Sequence, residues 1–158
     1  MNKRIELNKR SRSTRKLFVV DIENAVGNGV VSEEACRKAM ERVYEAHKPQ
    51  PGDLTVIGVS HPSNWFAAKS WNQGVRVVRQ WGHDGADLAL VKVLATENVE
   101  GRFGEVVVVS GDHAFAEQAF RLRALGVKVT VDARARQLSR HLALSCTSVS
   151  FAPSAHAA

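Results

Sequence analysis

The sequence has few cysteines and no long apolar run. Its two cysteines, Cys36 and Cys146, lie far apart and lack metal-ligand spacing, which indicates reduced thiols in a cytoplasmic protein. No apolar run is long enough to span a bilayer, and no apolar stretch precedes the first predicted strand. We therefore expect neither a membrane protein nor a secreted one.

Internal repeats, linkers and nucleotide-binding glycine motifs are also missing. Gly27-Asn28-Gly29 lacks the glycine spacing of a dinucleotide-binding turn and the lysine of a phosphate-binding loop. The chain has 158 residues, of which 44% are hydrophobic and 24% are charged, and this is ordinary usage for one globular domain. The composition therefore predicts a single soluble domain with its own core.

The formal net charge of +6 is concentrated at the N-terminus. Residues 1–16 hold seven lysines and arginines and one glutamate, so the rest of the chain is formally neutral. We predict a disordered basic arm over 1–16, a domain over 17–151 and a flexible C-terminal end over 152–158. The arm is either a solubilising leader, a result of a misassigned start codon, or a contact for nucleic acid through Arg10, Arg12, Arg15 and Lys16.

Apolar runs that resemble buried strands alternate with segments that resemble helices. The strand candidates are rich in Val, Ile and Leu, with little polar alternation, and they are Leu17–Ile22, Leu54–Val59, Val75–Gln80, Glu105–Val109, Val127–Val131 and a weaker run Thr147–Phe151. Helices are predicted between them, from Ser32 to about Lys48, over Ser63–Trp71, from Asp84 to about Asn98, over His113–Leu125 and over Gln137–Leu144. The pattern predicts an α/β fold with a mostly parallel sheet of five or six strands, covered by helices on both sides.

Aspartates follow the predicted strands at the edge where open α/β sheets place their sites. Asp21 ends the first strand, and Asp112 follows the fourth strand after a Ser-Gly turn. If these two strands are neighbours, both aspartates face one crevice. Asp84 and Asp87 begin the third predicted helix at the same edge. Alternatives remain for single residues, because Asp84 can cap the helix, Asp87 can serve its dipole, and Glu23 can point away from the crevice.

Several acids without matching bases repel one another unless a cation neutralises them. Oxygen ligands select hard ions, and Mg²⁺ or Mn²⁺ needs only one or two carboxylates together with water. Such an ion can activate water and stabilise charge on a phosphodiester. The predicted ligands are Asp21, Asp87, Asp112 and Asp84.

Three segments in this order resemble the NYN domains of the PIN-like nuclease superfamily. They are Phe18-Val-Val-Asp-Ile-Glu-Asn24, Asp84-Gly-Ala-Asp-Leu-Ala-Leu90 and Val106-Val-Val-Val-Ser-Gly-Asp112, and the likeness extends from about Lys16 to Leu144. The resemblance implies a three-layer α/β/α sandwich of PIN-like, Rossmann-like topology and a metal-dependent ribonuclease. It implies catalytic roles for Asp21, Asn24, Asp87, Ser110 and Asp112, with RNA as the partner.

The chain departs from the NYN pattern at two places. Ala114 stands where many members carry a second acid after Ser-Gly-Asp, and Lys92 and Val93 occupy the region of a further helix acid. With these acids missing, we expect the site to hold one metal ion and not two. The alternative function is a catalytically weak or inactive RNA-binding or regulatory module. A haloacid-dehalogenase-like phosphatase is disfavoured, because Glu23 stands where that superfamily needs a second Asp.

Four residues near the predicted site are candidate RNA contacts: Trp81, His113, Arg134 and Arg136. Each has a structural alternative, since an aromatic ring can join the core, a histidine can begin a helix and arginines can line a solvated helix face. The sequence leaves open whether two copies form a homodimer.

Overall fold

The computed structural model describes residues 13–153, and a six-stranded parallel sheet lies at its centre. The strands are β1 (Lys16–Asp21), β2 (Leu54–Val59), β3 (Arg76–Arg79), β4 (Glu105–Val109), β5 (Lys128–Ala133) and β6 (Ser148–Phe151). The helices are α1 (Ile22–Val26), α2 (Glu33–His47), α3 (Asn64–Lys69), α4 (Gly85–Thr96), α5 (Val99–Arg102), α6 (Ala116–Ala124) and α7 (Arg140–Ser145), with short 3₁₀ turns at His113–Phe115 and Ala135–Gln137.

The strand order is β3-β2-β1-β4-β5-β6, and every pair is parallel. After β1, the strands β2 and β3 are added toward one edge of the sheet, and after β4, the strands β5 and β6 are added toward the other edge. The direction in which strands are added therefore reverses between β1 and β4. Ligands of open α/β sheets bind at the carboxyl ends of strands at such a switch point. The predicted α/β fold with a parallel, Rossmann-like sheet is confirmed. The first and fourth strands are neighbours, which is the condition under which Asp21 and Asp112 are expected to face one crevice.

Alternate residues of β1 build two separate hydrophobic cores, one on each face of the sheet. Phe18 and Val20 pack on the face covered by α2 and α3, together with the fully buried Trp71. Leu17 and Val19 pack on the opposite face, which α4, α6 and α7 cover. Because both faces of the central strands are buried, these strands are continuous apolar runs in the sequence. The result is a three-layer α/β/α sandwich.

Two short helices, α1 and α5, are absent from the sequence prediction, since a helix of four or five residues has no detectable apolar period. Ser32 caps α2 as predicted, because its hydroxyl accepts from the backbone N–H of Ala35 at 3.1 Å. The predicted fifth helix over 137–144 begins three residues later, at Arg140, behind its cap Ser139.

Both cysteines are buried free thiols, and they lie in opposite cores. Within residues 13–153, no helix is long and apolar enough to cross a membrane. The predicted basic arm falls almost wholly outside the described residues, and so does most of the predicted C-terminal end. Arg10 and Arg12 are among the residues outside this range.

Candidate functional site

The carboxyl ends of β1 and β4 bring two aspartates to the switch point. Asp21 is the last residue of β1 and also the cap of α1, since its Oδ1 accepts from the backbone N–H of Asn24 at 3.3 Å. Asp112 caps the 3₁₀ turn that follows β4, and its Oδ1 accepts from the backbone N–H of Ala114 at 2.8 Å. Each carboxylate is thus oriented by backbone donors, although Asp21 is buried and Asp112 is partly exposed.

A third aspartate reaches Asp21 because α4 packs very close to the sheet. Gly58 of β2 is the register partner of Asp21. A Cβ atom at Gly58 would lie 2.7 Å from Leu90 Cγ and 2.8 Å from the carbonyl oxygen of Ala86, so only glycine leaves room for α4. This approach places Asp87, in the first turn of α4, at the buried end of β1, where it is 5% exposed.

The carboxyl groups of Asp21 and Asp87 are hydrogen-bonded to each other. Burial, the contact with Asp21 and the charges of Asp112 and Asp84 raise the pKa of Asp87 to about 9. Burial is also the main cause that raises the pKa of Asp21, while the hydrogen bond from Asp87 opposes that rise. At neutral pH Asp87 therefore keeps its proton and donates it in a hydrogen bond to Asp21.

The second oxygen of Asp87, Oδ1, is buried and has no hydrogen-bond partner among residues 13–153. An unpaired buried carboxyl oxygen is costly, and a cation that replaces the shared proton would remove that cost. In the described part of the chain, no three His, Cys, Asp or Glu side chains form a group that could hold a metal ion. A hard ion such as Mg²⁺ or Mn²⁺ at this position could take at most one or two carboxylates of the pair and would need water as its remaining ligands.

The other predicted site residues connect the loops around this pair. Asn24 Oδ1 accepts from the backbone N–H of Gly111 at 3.3 Å, and buried Ser110 accepts from the backbone N–H of Asp112 at 3.2 Å. These contacts hold the loop after β4 against the start of α1. Asn24 and Ser110 therefore lie near the aspartates in the chain, and both accept hydrogen bonds from backbone N–H groups of the loop after β4.

Asp84 and the two nearby histidines lie on the outer side of the site. Asp84 occupies the N-cap position of α4, as the capping alternative expected, but its backbone is left-handed, with φ 58°, and its side chain makes no cap hydrogen bond. Its carboxylate instead contacts His83 Nδ1 at 2.9 Å. His113 Nδ1 lies 3.5 Å from Asp112 Oδ1, and its side chain is 80% exposed.

Glu23 connects three loops beside the site. Its Oε1 accepts from the backbone N–H and the hydroxyl of Ser60 and from Asn64 Nδ2, at 3.0, 3.1 and 3.0 Å. The fully buried Asn64 also accepts from the backbone N–H of Val31 at 3.0 Å. The sequence analysis missed Ser60 and Asn64, because isolated polar residues in a loop carry no pattern that reveals their partners.

The predicted RNA contacts are distributed over both edges of the sheet. Arg15 donates to the carbonyl of Gly52 at 2.7 Å, and Lys16 donates to that of His47 at 2.6 Å. Lys16 begins β1 and Arg15 directly precedes it, so about 17–20 Å of extended chain separates them from Asp21. The structure thus does not bring these two cations to the acids.

The remaining predicted contacts lie nearer to the carboxyl edge. Arg134 donates to the carbonyl of Val26 at 2.6 Å and so serves the C-terminal end of α1. Arg136 is exposed in the turn that follows β5. Trp81, after β3, is 46% exposed and is free of the core.

Comparisons with known proteins identify the fold and no function. No protein-family model and no curated protein matches the sequence. Among solved structures, the chain is similar to a protein of unknown function from Vibrio parahaemolyticus, with 19% identity and a TM-score of 0.60, over 90% of this chain and 95% of that one. This likeness shows a shared α/β fold, and the resemblance to NYN domains stays a prediction.

Proposed function

We propose that this chain is a Mg²⁺- or Mn²⁺-dependent endoribonuclease of the NYN type, which hydrolyses phosphodiester bonds of RNA in the cytoplasm. The observation that carries the proposal is the buried, proton-sharing pair Asp21–Asp87 at the switch point, with the unpaired Oδ1 of Asp87 beside it. A purely structural role does not explain two carboxyls in contact without a base, because such a pair costs folding free energy.

The residues divide into ion ligands and positioning groups. Asp21 and Asp87 would hold the ion, and Asp112 adds negative charge nearby, which raises the pKa of both. When bound, the ion makes water a better nucleophile at neutral pH and stabilises charge that develops on the phosphodiester. Asn24 and Ser110 fix the loop that carries Asp112 through the two contacts described above.

The test is cleavage of a labelled single-stranded RNA by the full chain with Mn²⁺, with Mg²⁺ and with EDTA. We expect Asp21→Asn to lower the cleavage rate by more than about a hundredfold, because the ion supplies several kcal/mol of charge stabilisation. The asparagine keeps an oxygen that can cap α1, so the variant should stay folded. Glu41→Gln, an exposed acid on α2, is the matched control and should cleave like the wild type. Metal-dependent cleavage that persists in purified Asp21→Asn would refute the assignment.

The second candidate function is an RNA-binding or regulatory module without turnover. It is favoured by the engagement of Asp112 Oδ1 as a helix cap, by the lack of a three-acid group in residues 13–153 and by Ala114 at the position of the family's second acid. This candidate predicts RNA binding at the same concentrations with no cleavage in Mn²⁺. A cleavage time course of one labelled RNA in Mn²⁺ therefore distinguishes the two candidate functions.

A further inference from the structure

A cluster of aromatic rings and cations surrounds Arg79, the last residue of β3. The guanidinium carbon of Arg79 lies 4.9 Å from the ring centroid of Trp65 and 5.2 Å from that of Trp81. Lys69 Nζ lies 5.0 Å from the Trp65 centroid. Phe66, next to Trp65 on α3, is 73% exposed. We call this surface the aromatic-basic patch, and it consists of Trp65, Phe66, Lys69, Arg79 and Trp81.

Trp81 differs from the tryptophan that belongs to the core, whereas Trp65 is partly buried and packs against the core on the α2 and α3 face. Trp71 is fully buried, and its indole N–H donates to the Tyr44 hydroxyl at 3.0 Å. Within residues 13–153, the indole N–H groups of Trp65 and Trp81 donate to no protein acceptor, and no carboxylate pairs with Arg79. Exposed rings such as Phe66 and Trp81 next to cations are a typical surface for a single nucleic-acid strand, which is anionic and aromatic.

Backbone hydrogen bonds connect the patch to the aspartates. The N–H of Gly82, directly after Trp81, donates to the carbonyl of Ser60 at 3.2 Å. The N–H of Ser60 donates to Glu23, two residues after Asp21, at 3.0 Å. On the other side, Trp81 precedes the start of α4 by four residues, and Asp87 lies in the first turn of that helix. Arg79 and Trp81 therefore lie at the same edge of the sheet as the aspartate pair, with β2 between their strand and β1.

We propose that the aromatic-basic patch is a base-stacking subsite for an unpaired nucleobase of the RNA strand. Trp81 stacks on the base, and Arg79 holds the indole rings in place while it offers its charge to a neighbouring phosphate. Every base presents a π-face, so such a subsite accepts any sequence and requires only that the base is unpaired. The identity of the ligand rests on the proposed ribonuclease function, but the patch binds without an ion.

The experiment measures binding by the full chain in EDTA, so that no cleavage occurs. The probes are a labelled RNA of about 12 unpaired nucleotides and the duplex of the same sequence, and the readout is fluorescence anisotropy. Trp81→Ala should weaken single-strand binding by about five- to a hundredfold and leave duplex binding unchanged, because loss of stacking affects only unpaired bases. Trp81→Phe should retain most of the affinity, which shows that the ring carries the effect.

The matched control is Phe120→Ala on α6. Phe120 is also exposed, and Arg123 lies 5.8 Å from its ring centroid, but this ring is outside the patch. Unchanged single-strand affinity in Trp81→Ala, or equal losses for single strand and duplex, would overturn the proposal. If binding depends on Trp81 but no RNA is cleaved in Mn²⁺, the ribonuclease proposal fails and the subsite stands. If cleavage depends on Asp21 but single-strand binding is unchanged in Trp81→Ala, only the proposal of the stacking subsite is refuted.

Discussion

Replacement of Asp87 by asparagine should stabilise the protein when no divalent ion is present. The folded protein buries Asp87 against Asp21, and its pKa is raised from 3.8 to about 9. An asparagine has nearly the same shape and can donate its amide hydrogen to the Asp21 carboxylate. The change therefore keeps the packing and the hydrogen bond but removes the titrating proton.

The pKa shift fixes the sign and the size of the effect. Between the unfolded pKa of 3.8 and the folded pKa of about 9, the folded state of the wild type binds a proton that the unfolded state releases. The free energy of unfolding of the wild type should thus fall as the pH rises, by about 1.4 kcal/mol per pH unit at most. From about pH 5 to pH 7, Asp87→Asn should gain about 3 kcal/mol on the wild type, or roughly 5–10 °C in melting temperature.

The assay is urea unfolding of wild type and Asp87→Asn in EDTA over a pH series, since the difference between the two proteins cancels the titrating groups that do not contact Asp87. Mn²⁺ should stabilise the wild type more strongly as the pH rises, because an ion and the shared proton compete for the same oxygens. The variant should show little response to Mn²⁺. Glu41→Gln is the control and should reproduce the wild-type pH dependence.

A difference between wild type and Asp87→Asn that stays flat with pH would refute this account of the aspartate pair. So would an asparagine variant that is less stable than the wild type at neutral pH. Either result would mean that Asp87 is ionised in the folded protein and that a partner other than a proton neutralises it.

Three further predictions address the fold, the site and the arm. Asp132 is buried and accepts from Arg42 at 3.0 Å and from His47 at 2.7 Å, so Asp132→Ala should cost about 3–5 kcal/mol in urea unfolding, and a loss below about 1 kcal/mol would contradict this. Ala114→Asp should raise Mn²⁺ affinity in a thermal-shift titration if Ala114 faces the ion, and an unchanged affinity would show that it does not. Deletion of residues 1–12, which hold five bases, should flatten the slope of log K for RNA against log salt by roughly three units, whereas identical slopes would exclude the arm as an RNA contact.

The sequence reveals the sheet more fully than it reveals the helices. Strands such as Glu105–Val109 are mainly apolar runs with turn residues on either side. Their parallel order follows from the alternation of strands with helices. The short helix Ile22–Val26 has no period, and it forms because Asp21 caps its start and Gly27, with φ 77°, closes its end. Local hydrogen bonds of this kind decide short elements, and they are invisible in an apolar pattern.

For the candidate site, the sequence predicts at which edge of the sheet the aspartates lie, but it does not predict which of them are in contact. Asp21 and Asp112 follow two strands that end at one edge, so their approach follows from topology alone. The contact between Asp21 and Asp87 depends on the missing side chain of Gly58, which lets α4 come close to β2. A glycine inside an apolar strand is the signal that could have indicated this close approach.

The exposed and buried tryptophans also show the limit of sequence reasoning. Trp65, Trp71 and Trp81 occur within a short stretch, and composition does not separate a core ring from a surface ring. Trp71 is fully buried because it follows α3 and packs between the sheet and Tyr44, with ring centroids 5.8 Å apart. Trp81 lies beyond the end of β3, outside both cores. Only the tertiary structure makes this distinction.

The aspartate pair and the aromatic-basic patch oppose stability in different ways, and they lie at the same edge of the sheet. The pair buries two carboxyl groups in contact, while the patch exposes the rings of Phe66 and Trp81 and, within residues 13–153, gives Arg79 no carboxylate. Elsewhere, a buried acid has its bases, as Asp132 has Arg42 and His47. Within residues 13–153, a fold that pairs Asp132 with bases but gives Asp87 none places these unfavourable interactions at one edge of the sheet. Such concentration is expected where a protein binds a ligand that supplies the missing partners, and a cation together with an RNA strand would supply all of them.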